Sequence, residues 1–343
     1  MDLSKYRCLN CGKNLWAAYT TFWKCENCGQ QYSCVSGIPR LYLENHIGQE
    51  DKALRDYFYN GFLGSYYQYV MPFLSLPARP LKMSWKDWIA YALIVDVLIL
   101  VIVQLINLLF VRRLGGFGII DAVFLCFVGL VGYFLIKHRY LLNLLILAIP
   151  VRLSLNSTKF KPDESFADVH SRSIERLRQK NQKLRVLDVS TGTCNSLYRH
   201  GWMELNADYV GLDLSEKMLL QGLNFMTEKQ VPMEFVLGDA AELPFEPETF
   251  DVVLNYGAIN GMADPQKALA EMARVCKKDG LVFFLDEQLY DSASFVERKY
   301  FESVLSSHNV VHHCPVELLP DNLENVQVKQ VYHFYYICTA IKK

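Results

Sequence analysis

The stretch LRVLDVSTGTCNS, residues 184–196, decides the fold of this 343-residue chain. An apolar strand runs into a turn of small residues, and the residues that follow favour a helix. In an open α/β sheet this arrangement presents backbone N–H groups to a ligand at the carboxyl end of the strand. The glycine spacing is not the G-x-G-x-x-G of dinucleotide-binding folds. The stretch therefore predicts an open α/β sheet with a ligand site at this turn.

Four further blocks follow the first in order. They read YVGLDLS from 209, GDAAELPF from 238, FDVVLNYGAIN from 250 and RVCKKDGLVFFLDE from 274. With the D-x-x-x-G-T-x-N pattern of the first block, they resemble class I S-adenosylmethionine (SAM) methyltransferases, most of all the ubiquinone/menaquinone C-methyltransferase group. The resemblance implies an α/β fold, a Rossmann-like sheet of seven strands over residues 166–343, with SAM as cofactor. A Rossmann-like domain that binds no SAM is the alternative.

Acidic and small residues at the strand ends suit such a ligand. We expect Asp188 to hold the turn and attract the ligand's ammonium, Asp213 to accept both ribose hydroxyls, and Asp239 to take the adenine amino group. Glycine tolerates positive φ, and small side chains let the backbone approach a bulky ligand. The predicted cofactor-binding residues are Asp188, Ser190, Thr191, Gly192, Thr193, Cys194, Asn195, Asp213, Leu214, Asp239, Ala240, Asn255 and Tyr256.

Two positions depart from the family pattern. Relatives usually carry glycine where this chain has Ser190 and Cys194. Serine is a mild change, whereas cysteine is larger and is expected to crowd the methionine part of the ligand. The departure bears on SAM affinity more than on the fold.

Methyl transfer benefits from a base that removes or shares a proton of the acceptor. The candidates are His170 on the helix before the first strand, and Tyr256 and Asn260 after the fourth strand, with His312 or His313 in a late loop as further options. None has a spacing that singles it out, and each could equally be a surface or packing residue. Holding the acceptor against the methyl group without a dedicated base is the alternative mechanism.

Two C-x-x-C pairs, CLNC from residue 8 and CENC from residue 25, predict a metal site in residues 1–45. Each pair is followed by a glycine, Gly12 or Gly29, and the spacing matches a tetrahedral zinc ribbon. The next residues, QQYSCVSGIPRLYLE, resemble the tail of a ribbon found in a small activator subunit of several methyltransferases. The predicted ligands of a structural Zn²⁺ are Cys8, Cys11, Cys25 and Cys28. An iron centre or four free thiols are the alternatives, and Cys34 is not expected to be a ligand.

The composition changes between the ribbon and the strand-rich part. Residues 46–84 are rich in aromatics and predict lid helices, with core packing as the alternative; the candidate substrate residues are Tyr66, Tyr67 and Tyr69. Residues 85–139 contain two apolar runs, each longer than the roughly 18 residues that cross a bilayer, and predict a transmembrane hairpin. A buried hairpin of a soluble core is the alternative. Residues 140–165 predict an interfacial helix and a linker.

Charge and cofactor supply suggest where the chain acts. The Lys and Arg residues that flank the two runs place both soluble parts in the cytoplasm, where SAM is available. The formal net charge of −1 gives no general attraction to nucleic acid. We therefore expect a methyltransferase anchored in the lipid bilayer that acts on a lipophilic small molecule such as a quinone, isoprenoid or lipid. A tethered RNA or protein methyltransferase and a non-catalytic SAM-binding scaffold are the alternatives.

Overall fold

The computed structural model describes residues 3–15, 17–18, 21–61, 160–305 and 313–343, and four single positions, 64, 129, 151 and 154. The chain divides into two compact units. The first comprises residues 1–68, 160–291 and 308–343, and it contains both sheets. The second comprises residues 69–159 and 292–307. The lid tyrosines 66, 67 and 69, His312, and the predicted interfacial helix lie outside the described residues.

A small antiparallel sheet forms the N-terminal part of the first unit, after a 3₁₀ turn at Leu3–Lys5. Its strands, in spatial order, are β1 Ala17–Ala18, β2 Phe22–Lys24, β3 Gln31–Val35 and β4 Ile38–Pro39. Trp23 and Tyr32 are buried on neighbouring strands, and the Trp23 ring packs edge-on against Tyr6 at 4.9 Å. These aromatic side chains give a sheet of only a few residues per strand its core.

A short helix follows the small sheet. Helix α1, Gln49–Ala53, begins after Gly48 and continues as a π-helical segment, Leu54–Tyr59, which ends at Asn60. A Cβ at Gly48 would lie 2.9 Å from the Cβ of Ala263, so the absence of a side chain lets the start of α1 approach the loop that contains Ala263.

The second sheet has seven strands in the order β10-β11-β9-β8-β5-β6-β7. Strands β5 to β9 pair in parallel. Strand β11 pairs antiparallel with β9, and β10 pairs antiparallel with β11 at the edge of the sheet. Their bounds are β5 Leu184–Val189, β6 Ala207–Asp213, β7 Glu234–Leu237, β8 Phe250–Tyr256, β9 Cys276–Glu287, β10 Leu323–Tyr332 and β11 Tyr335–Lys342. The predicted Rossmann-like sheet of seven strands is confirmed.

Helices of the strand-rich part connect and cover these strands. They are α2 Phe166–Arg178, α3 Asn195–Arg199, α4 Glu216–Glu228 and α5 Pro265–Val275, with short 3₁₀ turns at Trp202–Glu204, Ile259–Gly261 and Val316–Leu318. Ser215 caps α4 by accepting a hydrogen bond from the backbone N–H of Met218 at 3.3 Å, and Asp264 caps α5 through the N–H of Lys267 at 2.9 Å. Both caps therefore fix loops at the carboxyl ends of the parallel strands.

The described part of the second unit contains helix α6, Phe295–Tyr300, which continues as a π-helical segment at Phe301–Leu305. Its start is a capping box: the Ser294 hydroxyl accepts from the N–H of Glu297, and the Glu297 carboxylate accepts from the N–H of Ser294.

The predicted two-helix membrane localisation is corrected by the structure. The longest helices among the described residues, α2 and α4, have 13 residues each and none is long and apolar enough to cross a bilayer. Thirteen residues extend about 20 Å as a helix, against about 30 Å of hydrocarbon. The predicted spans at 85–111 and 117–136 lie outside the described residues, except for the single position Gly129.

The small sheet is attached to the edge of the large one within the same unit. Arg40 forms a parallel bridge with Leu237, the last residue of β7, and the N–H of Leu41 donates to the carbonyl of Leu237 at 2.8 Å. Lys5 forms an ion pair with Glu234, also on β7, at 2.7 Å. Residues of both sheets share one hydrophobic core, so the N-terminal segment is an integral part of this unit.

Candidate functional site

The turn after β5 is built from alternating left-handed residues. Ser190, Gly192 and Cys194 have φ of 58°, 55° and 60°. This conformation is strained for residues with a Cβ and unstrained for glycine. A Cβ at Gly192 would meet nothing within 4 Å, so the space beside this glycine is open. The turn directs the N–H of Gly192 toward β6, where the carboxylate of Asp213 accepts it at 2.8 Å.

Asp213 is held in place by two backbone donors. One carboxylate oxygen accepts from Gly192, and the other accepts from the N–H of Ser215 at 2.8 Å. Burial raises the pKa of Asp213 to about 6, while the backbone hydrogen bonds act in the opposite direction. The carboxylate is therefore fixed in orientation but only partly ionised in weakly acidic solution.

A cleft that is partly open to solvent lies at the carboxyl ends of the parallel strands. Seven of the predicted cofactor-binding residues line it: Ser190, Gly192, Asp213, Leu214, Asp239, Ala240 and Tyr256. Another wall is formed by Gly257, Ala258, Gly261 and Met262. The cleft lies where ligands bind in open α/β sheets.

Other predicted cofactor residues lie behind the turn and do not line the cleft. Asp188 is buried and accepts from the hydroxyl of Thr191 at 2.6 Å, while its second oxygen has no partner among the described residues. Burial raises the pKa of Asp188 to about 7. The amide of Asn255 donates to the carbonyl of Val189 at 2.9 Å, and its buried oxygen likewise has no partner among the described residues. Thr193 is buried and Asn195 begins α3.

The thiol of Cys194 points away from the cleft. Its Sγ lies 3.4 Å from the Thr191 hydroxyl and 3.9 Å from the Met233 sulfur, and it would be 2.9 Å from a Cβ placed on Gly222. The side chain therefore fills a gap between the turn and α4. The sequence indicated the unusual residue, but the direction of its side chain depends on the φ of 60°.

Helix α1 and its π-helical continuation cover one side of the cleft. Asp51, Leu54, Arg55 and Tyr59 line it. At one end Asp51 accepts from the N–H of Ala263 at 3.1 Å. At the other end Asn60 accepts from the Ser215 hydroxyl at 2.8 Å. We call Gln49–Ala53 and Leu54–Tyr59, together with Asn60, the lid segment.

The positive charge of the lid segment is neutralised locally. The Arg55 guanidinium forms a bidentate pair with Glu44, at 2.8 and 3.0 Å, and a further pair with Asp56 at 2.7 Å. Lid helices are predicted from the sequence in this region, but Asp51, Arg55 and Asn60 are not among the predicted site residues. For Asp51 and Asn60 only the nearby aromatic stretch could have indicated a role, because their partners lie more than 150 positions away in the chain.

The three candidate catalytic residues lie in different surroundings. Tyr256 lines the cleft; its hydroxyl accepts from the Trp202 indole N–H, and burial raises its pKa. His170 packs edge-on against Trp202 at 4.9 Å and does not line the cleft, and burial lowers its pKa. Asn260 is buried, and its amide donates to the carbonyl of Glu287 at 2.6 Å. The structure thus brings only Tyr256 to the cleft; the catalytic roles remain predictions.

His313, the described member of the late-loop pair, is exposed and lies 3.2 Å from Glu317. It does not line the cleft.

The four predicted zinc ligands lie together. The sulfurs of Cys8, Cys11, Cys25 and Cys28 are all within 4.8 Å of one another, and the pairs Cys8–Cys28 and Cys11–Cys25 are 3.6 Å apart. Gly12 and Gly29 have φ of 71° and 75°, and the N–H of each donates to the carbonyl of the first cysteine of its pair. Each cysteine pair is therefore closed by a tight turn at its glycine, while the zinc ribbon itself stays a prediction.

The strand order, the turn after β5 and the cleft at the strand ends define an α/β domain of the class I methyltransferase type. Comparison with known proteins agrees: residues 187–284, less than a third of the chain, match the family described as "Methyltransferase domain". This part of the chain is a class I SAM-dependent methyltransferase domain.

Individual relatives match parts of the chain. A demethylmenaquinone methyltransferase of Renibacterium salmoninarum is 38% identical over 28% of this chain and 38% of its own length. A phosphatidylethanolamine N-methyltransferase of Cereibacter sphaeroides is 33% identical over 36% of this chain and 63% of its own length. The chain thus spans less than two thirds of either relative. The solved phosphoethanolamine N-methyltransferase 2 of Haemonchus contortus, in complex with SAM, is 17% identical, covers 51% of this chain and 52% of that one, and has a TM-score of 0.41.

Proposed function

We propose that the protein transfers the methyl group of SAM to a lipophilic small molecule. The observation that carries the cofactor assignment is the cleft itself, in which Gly192 leaves open space beside a carboxylate, Asp213, fixed by two backbone N–H groups. SAM carries a positively charged sulfonium. The acidic groups that line the cleft, with the Arg55 charge already neutralised by neighbouring carboxylates, favour such a cation.

Cys194 is compatible with this cofactor. Its thiol occupies the space between the turn and Met233, outside the cleft lining. Crowding of the methionine part by this side chain, which the sequence analysis expected, is therefore not part of the proposal. The open oxygens of Asp51 and Asp239 in the same cleft leave acceptors for the donor groups of an adenosine.

Two considerations support a lipophilic acceptor. The two relatives are named for a menaquinone precursor and for a phospholipid, which are both lipophilic. The cleft walls also include apolar side chains, among them Leu54, Met218 and Met262. The formal net charge of −1 gives the chain no general attraction to RNA, the acceptor class of the second hypothesis.

The sulfonium supplies an activated methyl group for in-line displacement when SAM is bound. This chain's own contribution is positional: the turn after β5 and Asp213 orient the donor, and Tyr256 closes the floor of the cleft. Because Trp202 already donates to the Tyr256 hydroxyl, that oxygen is oriented, and its own hydrogen is directed elsewhere. His170 and Asn260 do not line the cleft, so we propose transfer without a dedicated base from these two residues.

The direct test is to incubate the purified protein with methyl-labelled SAM and a total lipid extract, and in parallel with RNA and with protein. We expect label in the organic phase. An Asp213→Ala variant should transfer no label above background, because SAM loses the carboxylate that accepts its hydrogen bonds and orients it. Label found only in RNA or protein would contradict the lipophilic acceptor, and no SAM binding by calorimetry would contradict the cofactor assignment.

We also propose that the four cysteines hold one structural Zn²⁺. A tetrahedral zinc with Zn–S bonds of about 2.3 Å sets its sulfurs about 3.8 Å apart, close to the observed 3.6 Å pairs. Four thiolates fill the coordination sphere, so such a site supplies stability and no chemistry. Elemental analysis of protein purified without added metal should give one zinc per chain; iron instead of zinc, or no metal, would contradict this assignment.

A further inference from the structure

Two carboxylates line the same cleft and are close enough for their charges to interact. Asp239 follows β7, and Asp51 lies on the lid segment. One oxygen of Asp239 accepts from the N–H of Ala241 at 2.8 Å, and one oxygen of Asp51 accepts from the N–H of Ala263 at 3.1 Å. Among the residues that the structure describes, the second oxygen of each carboxylate has no hydrogen-bond donor. The cleft therefore offers two oriented acceptors and no donor between them.

This arrangement is unfavourable without a ligand. Burial raises the pKa of both Asp51 and Asp239, and the charge of Asp239 raises that of Asp51 further. Each carboxylate is nevertheless fixed by a backbone N–H, so neither can turn away freely. A ligand group with two N–H donors would satisfy both open oxygens at once.

We propose that Asp51 is a second nucleobase-binding residue, and that Asp51 and Asp239 each accept one hydrogen bond from the two hydrogens of the adenine amino group. This inference rests on the proposed use of SAM, and it extends the contact expected for Asp239 to a residue of the lid segment. A base with a carbonyl in place of the amino group would place an oxygen against the two carboxylates with no hydrogen to share, so it would bind much more weakly.

The placement of Asp51 on the lid segment gives the contact a second consequence. The same carboxylate that meets the base also fixes the start of α1 to Ala263. Binding of the adenine amino group therefore stabilises the covering position of the lid segment. A donor with the wrong base would lose both interactions.

The test compares two probes, S-adenosylhomocysteine and its deaminated analogue S-inosylhomocysteine, by calorimetry on the full-length protein. The wild-type protein should bind the adenine compound on the order of 100-fold more tightly, because two buried acceptors are left unsatisfied by the analogue. Asp51→Asn should bind the adenine compound about tenfold more weakly, and its preference over the analogue should fall by more than about tenfold, because the asparagine amide can also donate to the carbonyl of the analogue.

Two further variants separate this contact from other effects. Glu50→Gln removes a neighbouring charge on the exposed side of α1 and should change neither affinity. Asp51→Ala removes the acceptor for Ala263 as well as the base contact. Unchanged binding and preference in Asp51→Asn, with a loss only in Asp51→Ala, would show that Asp51 merely anchors the lid segment and would overturn the inference. Absence of binding to the wild-type protein would overturn the proposed function and this inference together.

Discussion

Ser190 places a side chain where the backbone favours glycine. Its φ of 58° is left-handed, which costs a residue with a Cβ about 1–2 kcal/mol. Glycine removes this cost, but its greater conformational entropy in the unfolded chain lowers the stability of the fold by about 0.5–1 kcal/mol. We predict that Ser190→Gly raises the free energy of unfolding by about 0.5–1 kcal/mol, measured by urea denaturation. Ser190→Ala keeps the strained Cβ and should give no gain; equal effects of the two substitutions would contradict the argument.

The raised pKa of Asp213 predicts a pH dependence of cofactor binding. The folded, ligand-free protein protonates this carboxyl with a pKa of about 6, against an ordinary value of 3.8. The protonated form is a poorer acceptor for the cofactor, so affinity should fall as the pH falls through 6, by about tenfold between pH 7 and pH 5. Calorimetry with S-adenosylhomocysteine across this range measures it.

Protonation of Asp213 has the opposite effect on the stability of the fold: it weakens cofactor binding but favours the folded state. Between about pH 4 and pH 6 the folded state binds the proton more tightly than the unfolded chain, so its contribution to stability decreases as the pH rises.

The control for the binding prediction is Asp213→Asn, which should bind the cofactor more weakly and with a flatter pH profile. An equally steep decline in this variant would assign the pH dependence to another group.

The lid segment is docked at its end by one side chain. The Asn60 oxygen accepts from the Ser215 hydroxyl at 2.8 Å and from the N–H of Lys217 at 3.4 Å, at the start of α4. We predict that Asn60→Ala weakens SAM binding by about 3- to 10-fold, because two hydrogen bonds that hold the lid segment beside Asp213 are lost. The free energy of unfolding should change much less.

Tyr57 provides the matched control for this element. It lies on the same segment and is 86% exposed, so Tyr57→Ala removes a large side chain without removing a docking contact. Both variants are compared by calorimetry and by denaturation. If Tyr57→Ala weakens SAM binding as much as Asn60→Ala, the effect belongs to helix propensity and not to docking.

The elements differed in how far the sequence could predict them. The strand Leu184–Val189 followed from an apolar run of strand length, because a strand buried on both faces needs such residues. The outer strand of the terminal hairpin, β10, has no such run, and most of its side chains are not buried. The clustering of the four cysteines followed from the spacing of the two C-x-x-C pairs. The lid contacts did not, since Asp51 and Asn60 are ordinary polar residues whose partners are distant in the chain. Cys194 shows the same limit at a single residue, because the direction of its thiol depends on a backbone angle.

Within the first unit, contacts of Arg40 connect the N-terminal sheet to the residues around the cleft. The chain passes from β4 to Arg40, which bridges to Leu237 at the end of β7, two positions before Asp239. Arg40 also pairs with Glu216 in the first turn of α4 at 2.7 Å. From there the chain continues into the lid segment. A metal held by the four cysteines, as proposed, would therefore order the same segment that supports the edge strand, the start of α4 and the lid segment.

We accordingly predict that loss of the proposed metal weakens cofactor binding as well as stability. Cys25→Ser should lower the melting temperature and reduce the affinity for S-adenosylhomocysteine by about fivefold or more, because small metal sites contribute folding free energy directly. Cys34→Ser is the matched control, since Cys34 lies on β3 of the same sheet and outside the cysteine cluster; it should retain both the metal and the affinity. Chelation of the wild-type protein should reproduce the Cys25→Ser result, with metal content and calorimetry measured on the same sample. A metal-free protein that binds the cofactor with wild-type affinity would show that the cleft forms independently of the N-terminal sheet.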